Sequence, residues 1–184
     1  MTLETLLSRR SVRSYDINYE IPQDTLHKIV EAVMNSPTAM NCQDYNLVVC
    51  TSREKLFALA NSVMSRGEES MKERFLERQK QSGVSNPVTY DAPCVIFLEK
   101  NERATGKFTE IDAGIISMAI MIAAKAEGLD SVCLGCIGIG LTEEIENILE
   151  LQHGKCVIAV ALGKAKEGCH IVDKKIISRV KYVK

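Results

Sequence analysis

Short apolar strands scattered among amphipathic helices, without a regular strand-helix-strand alternation, place this chain in the α+β class. Two observations carry that reading. The runs Tyr45–Thr51, Ala92–Glu99 and Cys156–Leu162 are β-branched and apolar over lengths that suit buried strands better than helices. The segments between them carry apolar residues at helical spacing, and the helices cluster instead of following each strand in turn. With 184 residues, 46% hydrophobic and 26% charged, the chain can fill a core and keep a solvated surface as one domain over residues 1–184.

The elements follow in order. Leu3, Leu6 and Leu7 give Thr2–Arg10 a one-sided helical spacing that ends in a basic cluster. Pro22 opens a second helix, whose face holds Leu26, Ile29, Val30 and Val33 and which ends near Asn35. Tyr45–Thr51 is the first strand, and Ser52 caps a helix over Arg53–Met64. Glu68–Gln81 is charge-dense and reads as an exposed helix, with Gly83–Pro87 a mobile loop after it. Ala92–Glu99 is the second strand, Asn101–Lys107 a polar loop, and Ile111–Glu127 a long core helix stopped by Gly128. Ser131–Leu134 is a short strand running into the glycine-rich Gly135–Gly140. Thr142 opens a helix that ends before Gly154, and Cys156–Leu162 is the strongest strand of the chain. The alternating apolar and basic tail Lys174–Lys184 predicts one further strand.

Charge and composition exclude several classes of function. Twenty-three basic against twenty-four acidic residues leave a net charge of -1, which offers no field to attract a polyanion, so no nucleic-acid partner is expected. The apolar stretch 113–126 is broken by Ser117 and Lys125 and falls short of the ~20 residues a bilayer requires, so no membrane span is expected. No secretory signal pattern is visible, and the seven cysteines, an odd and scattered set, suit reduced thiols better than a disulfide framework; cytoplasmic residence follows.

Three segments carry side chains suited to a ligand. Arg9, Arg10, Ser11 and Arg13 set three guanidinium groups and a hydroxyl within five residues, a donor set that matches phosphate oxygens; a solvated basic turn is the ordinary explanation. The loop of Pro37, Thr38, Asn41 and Gln43 offers a hydroxyl and two amides that suit the polar edge of a planar heterocycle, or simply a connection. Leu134 and Gly135, at the end of a short strand, would let a ring approach the backbone, or form a tight turn. The glycine spacing 135, 138, 140 is not the dinucleotide fingerprint. Cys133 and Cys136 have the two-residue gap of redox and metal motifs but no second pair, and the histidines His27, His153 and His170 are far apart. Lys174 and Lys175 are either added phosphate charge or a basic edge device.

Taken in order, these segments resemble the nitroreductase family of FMN enzymes. The resemblance rests on Arg9-Arg-Ser-Val-Arg13 after a short helix and on Pro37-Thr-Ala-Met-Asn-Cys-Gln-Asp44 leading into a strand. It rests further on Asp91-Ala-Pro93 entering a central strand, Asp112-Ala-Gly114 opening the long helix that runs to Ala-Glu-Gly-Leu129, the glycine turn, Leu162-Gly163 and the terminal basic pair. Nearly the whole chain is covered. Thr38 stands where the family has serine, and Asp44 where it has proline.

The resemblance implies a central, mostly antiparallel sheet flanked by helices, in an intertwined homodimer with FMN at the subunit interface. It implies that Arg9, Arg10 and Ser11 hold the FMN phosphate with Lys174 or Lys175, and that Arg13 lies near flavin N1. Pro37, Thr38, Asn41 and Gln43 would come from the partner subunit, and Leu134 and Gly135 would line the ring near N5. The implied activity is transfer of reducing equivalents from NADH or NADPH to a small-molecule acceptor such as a nitroaromatic or quinone, in ping-pong order, with no side chain demanded as acid or base. The alternatives are a flavin-binding or storage module, a relative with different flavin chemistry, and a thiol or metal protein built on Cys133 and Cys136.

Overall fold

The computed structural model describes residues 2–104 and 106–183. Its elements are α1 (Thr2–Ser8), α2 (Gln23–Met34), β1 (Tyr45–Cys50), α3 (Arg53–Arg66), α4 (Glu69–Ser82), β2 (Cys94–Lys100), α5 (Thr109–Ala126), β3 (Asp130–Leu134), α6 (Glu143–Leu149) and β4 (Cys156–Gly163), with 3-10 turns at Ala39–Asn41 and Gly135–Ile139. The four strands form one sheet in the order β1-β2-β4-β3, every neighbouring pair antiparallel. The α+β expectation and the antiparallel sheet are both met.

Strand β2 explains the layering. It is apolar from Cys94 to Leu98 and buried along both faces, so side chains that alternate across the pleat must each find cover. Val95 and Phe97 join one core with Leu56, Leu59 and Val63 of α3, Ile145 and Leu149 of α6, and Ala159 and Ala161 of β4. Cys94, Ile96 and Leu98 join the other with Leu26, Ile29 and Val33 of α2, Ile116, Ile120 and Ala124 of α5, and Val160 and Leu162 of β4. Each large apolar side chain so buried contributes roughly 1.5–3 kcal/mol.

The helix boundaries have local causes. Ser52 Oγ accepts from the Lys55 N–H at 3.4 Å and Thr142 Oγ1 from the Ile145 N–H at 3.3 Å, each satisfying a free donor of a first turn. Gly128 takes φ +75 after α5, and the Leu129 N–H closes back on the Ala124 carbonyl at 2.9 Å. Helix α4 buries only Phe75, as its charge density predicts.

The segment 83–87 forms a loop, as expected, and is pinned to its surroundings: Val84 and Asn86 are buried, Asp91 accepts from the Ser85 and Asn86 N–H groups at 2.8 and 2.7 Å, and Asn86 Nδ2 donates to Leu56 O at 3.2 Å. One expectation fails. The tail forms no strand over residues 174–183, because no neighbouring strand pairs with it among the described residues; Lys184 lies outside them, as does Thr105 of the expected polar loop. Ile176, Ile177, Val180 and Tyr182 of the tail are all at least 75% exposed, an apolar surface left uncovered among the described residues. No helix among the described residues is long and apolar enough to cross a membrane.

Gly163, at the end of β4, is packed so closely that an added Cβ would lie 2.6 Å from Pro93 Cδ and 2.9 Å from Tyr15 Cδ1, both parts of rigid rings. Gly163→Ala is expected to destabilise the fold by about 1–3 kcal/mol in urea unfolding; an unchanged midpoint would contradict this packing.

Candidate functional site

The basic segment is held between β3 and the start of the tail. Ser11 forms a parallel bridge with Ser131, and the Val12 N–H donates to Ser131 O at 3.1 Å. The Tyr15 N–H donates to Tyr90 O at 3.0 Å, the Asp16 N–H to Lys164 O at 2.9 Å, and the Lys166 N–H to Ser14 O at 3.0 Å. Val12 and Tyr15 are 1% exposed and act as apolar anchors, while Ser11 and Arg13 on either side of Val12 are exposed. The alternation of an extended chain thus turns Ser11 and Arg13 away from the core. Burial raises the Tyr15 phenol well above its ordinary value, with nearby Asp130 adding to the shift, so it stays a neutral anchor whose hydroxyl donates to Ala161 O.

Arg13 faces two adjoining clefts. The first, about 290 Å³, lies over Leu134, Gly135 and Cys136 and is closed by Met71, Arg74, Phe75 and Arg78 of α4. The second, about 390 Å³, runs past Ser11 and Ser14 to Lys166, Gly168 and His170. Arg13 and Arg78 belong to both. The sequence-predicted Ser11, Arg13, Leu134 and Gly135 are therefore brought together. Gly135 stands with open space where a Cβ would be, leaving its backbone free for close approach. Arg9 lies close enough to Cys133 to stabilise its thiolate, whereas the Arg10 guanidinium turns back to Leu7 O at 2.6 Å and Arg9 O at 3.0 Å and caps α1.

The second predicted group lies elsewhere. Pro37, Thr38, Asn41 and Gln43 precede β1, at the opposite sheet edge from β3. Leu134 is aligned through Ala159 and Phe97 with Val48, three strand spacings or ~14 Å away. The loop is rigid: Met40, Asn41 and Gln43 all have φ near +50, Thr38 Oγ1 accepts from the Gln43 N–H at 3.0 Å, and both Asp112 oxygens accept from the Ala39 N–H at 3.0 and 3.1 Å. Non-glycine residues held in this region are strained, and surrounding structure must enforce them. Tyr45 helps: its hydroxyl donates to Thr109 O at 2.9 Å, and burial with Asp44, Glu110 and Asp112 nearby pushes the phenol up to about 12. Lys174 and Lys175 lie exposed on the tail, with no hydrogen bond or ion pair among the described residues.

Several residues of the clefts escaped the sequence. Ser14 is 4% exposed and lines the second cleft, yet its Oγ has no hydrogen-bond partner; outside the cleft linings, Ser131 Oγ, Arg9 Nε and Arg10 Nε are also buried without a partner. Such groups are costly unless something pairs with them. Arg74 and Arg78 lie in a charge-dense helix that the sequence marks only as exposed; their i, i+4 spacing is the available signal. A phosphate-bearing planar cofactor such as FMN fits these donors and the open backbone at Gly135.

The thiols fit poorly as a redox or metal centre. All seven cysteines are free, and no group of three or more metal-binding side chains occurs among the described residues. Burial pushes the Cys133 and Cys136 thiols up, against a smaller opposing pull from Arg9 and Arg78 respectively, which keeps them protonated and weakly nucleophilic near neutral pH.

The fold and clefts define a class of protein with a cofactor-sized basic groove at one sheet edge and a rigid polar loop at the other. The nitroreductase family model matches residues 6–164, and the chain belongs to that family. Among its relatives, a Bacillus subtilis protein provisionally named an NAD(P)H nitroreductase is 23% identical, over 97% of this chain and 96% of its own. An enone reductase of conjugated linoleic acid (CLA) biosynthesis from Lactiplantibacillus plantarum is 26% identical over 89% of this chain and 85% of its own. The crystal structure of a nitroreductase with bound FMN from Desulfitobacterium hafniense superposes with a TM-score of 0.79 at 26% identity, covering 98% of both chains.

Asp112→Ala removes both acceptors of the Ala39 N–H. Faster amide exchange at Ala39, faster proteolysis within 38–43 and a loss of about 1–3 kcal/mol in stability are expected; unchanged exchange would show that the loop is held by other contacts.

Proposed function

We propose that this chain is an FMN-dependent oxidoreductase that works as a homodimer, passing reducing equivalents from NADH or NADPH to a nitroaromatic, quinone or similar acceptor in ping-pong order. The observation that carries the reading is the set of buried, unpartnered donors on the basic segment and the neighbouring β3, Arg9 Nε, Arg10 Nε, Ser14 Oγ and Ser131 Oγ, of which Ser14 lines the cleft that Ser11 and Arg13 border. FMN, when bound, supplies the hydride exchange; the protein supplies position, charge and exclusion of water.

In this reading Arg9, Arg10 and Ser11 take the phosphate, with Arg9 and Ser11 contributing most because Arg10 is engaged with carbonyls of α1. Arg13 sets a fixed positive charge beside the pyrimidine edge of the ring, favouring negative charge there. Leu134 and Gly135 form the floor on which the ring lies. Family membership and the FMN-bound relative support the cofactor, and the names of the relatives support the donor.

The dimer completes the site. Pro37, Thr38, Asn41 and Gln43 lie too far from Arg13 of their own chain, so they would serve the cleft of the partner. Three apolar surfaces are left to cover: Leu3 and Leu7 of α1, Phe108 and Ile111 at the start of α5, and the tail, all more than 40% exposed. A tail that crosses to the partner would bury its apolar residues and carry Lys174 or Lys175 to a phosphate. Seven free thiols suit the reducing cytoplasm.

The test begins with the visible spectrum and sedimentation of the native protein. A yellow dimer that bleaches anaerobically with NADH or NADPH and recovers with a nitro compound is expected; a yellow protein that bleaches with neither is a flavin-binding module. Arg9→Ala with Arg13→Ala is expected to lower FMN content at least ~10-fold with unchanged circular dichroism, since two charge-assisted contacts are lost. Full flavin occupancy in that double variant would sink the site assignment.

A further inference from the structure

Helix α4 carries Arg74 and Arg78 one turn apart, both lining the cleft of about 290 Å³ above Leu134 and Gly135. Like charges at this spacing weaken an isolated helix. Neither guanidinium is in an ion pair with a carboxylate among the described residues, although Glu69, Glu73 and Glu77 lie on the same helix. Arg74 Nε donates to Ser70 O at 3.1 Å and Arg78 Nη1 to the Tyr90 hydroxyl at 3.3 Å, leaving most of their donors free. Arg78 acts on groups of the cleft: it opposes the upward shift that burial imposes on Tyr90 and Cys136.

Position separates Arg74 from the phosphate donors, while Arg78 borders both clefts. Ser11 and Ser14 line the second cleft, whereas Arg74 lines only the first, where the ring floor lies. Met71 and Phe75 of the same helix put an apolar wall beside the guanidiniums. The combination takes a molecule with an apolar body and an anionic head.

Resting on the flavin reading of the site, we infer that Arg74 and Arg78 form a specificity-determining clamp for an oxyanion on the substrate that visits the ring. The oxyanion is a carboxylate on the acceptor or the 2′-phosphate of NADPH. Its apolar body packs on Met71 and Phe75, and the guanidinium forks take the oxygens.

Two arms distinguish the sources. With the holoenzyme and NADH, kcat/KM is compared for 4-nitrobenzoate and its methyl ester; with the ester as acceptor, it is compared for NADPH and NADH. A preference of roughly tenfold to a hundredfold for the charged member is expected in at least one arm. It should shrink with added salt and collapse in Arg74→Gln/Arg78→Gln, with Arg74→Gln alone carrying the comparison where the double variant holds less FMN. Calorimetric titration of the favoured anion, 4-nitrobenzoate or 2′,5′-ADP, into the oxidised protein should weaken by a similar factor. No preference in either arm, or one that persists in the variants, overturns the clamp. A native protein that takes up no FMN fails earlier and overturns the flavin reading itself.

Discussion

The burial of β2 on both faces is the constraint from which the rest of the architecture follows. A strand with Val95 and Phe97 on one side and Ile96 and Leu98 on the other cannot be an edge, and it cannot face water. It needs a strand on each flank and a helical layer on each face, which is the arrangement α2 and α5, sheet, α3 and α6. The functional consequence lies at the margins. With the centre fully covered, the open sites are the two sheet edges, and the chain uses both: the basic segment 9–14 beside β3 and the polar loop 37–43 before β1.

On the proposed reading, that division gives one chain half of each of two sites. The Arg13 side has cationic and hydroxyl donors and an open glycine backbone, and lacks the amide-rich edge that a heterocycle needs. The loop side has the amides and a strained, pre-organised backbone, and lacks positive charge. A two-fold arrangement that sets each loop against the other chain's groove supplies both halves twice, an isologous solution that needs no extra residues. The exposed apolar faces of α1, α5 and the tail would be its cost in the monomer and its driving force in the dimer.

How much of this was legible in the sequence depended on whether the cause was local. Every described α-helix and strand appears where periodicity and capping placed it, because Ser52, Thr142 and Gly128 act on their own neighbours. The pinning of the loop 83–87 was not legible, because its burial comes from Asp91 and Leu56, contacts invisible to a local pattern. The tail was misread because alternation of apolar and basic residues signals an extended chain, and an extended chain becomes a strand only where an edge awaits it. Arg9, Ser11, Arg13, Leu134 and Gly135 stood out by residue type and order. Ser14 and Ser131 did not, since a serine is notable only when burial leaves its hydroxyl unpaired.

The loop before β1 shows how rigidity and function are reconciled in this fold. Three left-handed non-glycine residues within 40–43 are an expensive way to make a connection, and a glycine at any of them would relieve strain. The same conformations hold Thr38, Asn41 and Gln43 in a single hydrogen-bonded arrangement, with Asp112 fixing the loop to the first turn of α5. A flexible loop would have to be ordered each time a planar ligand bound; this one is ordered on folding, and the strain is offset by the core that α5 shares with β2. Stability of the sheet and the conformation of the loop are therefore coupled through Asp112, a residue that lines neither of the two clefts beside Arg13.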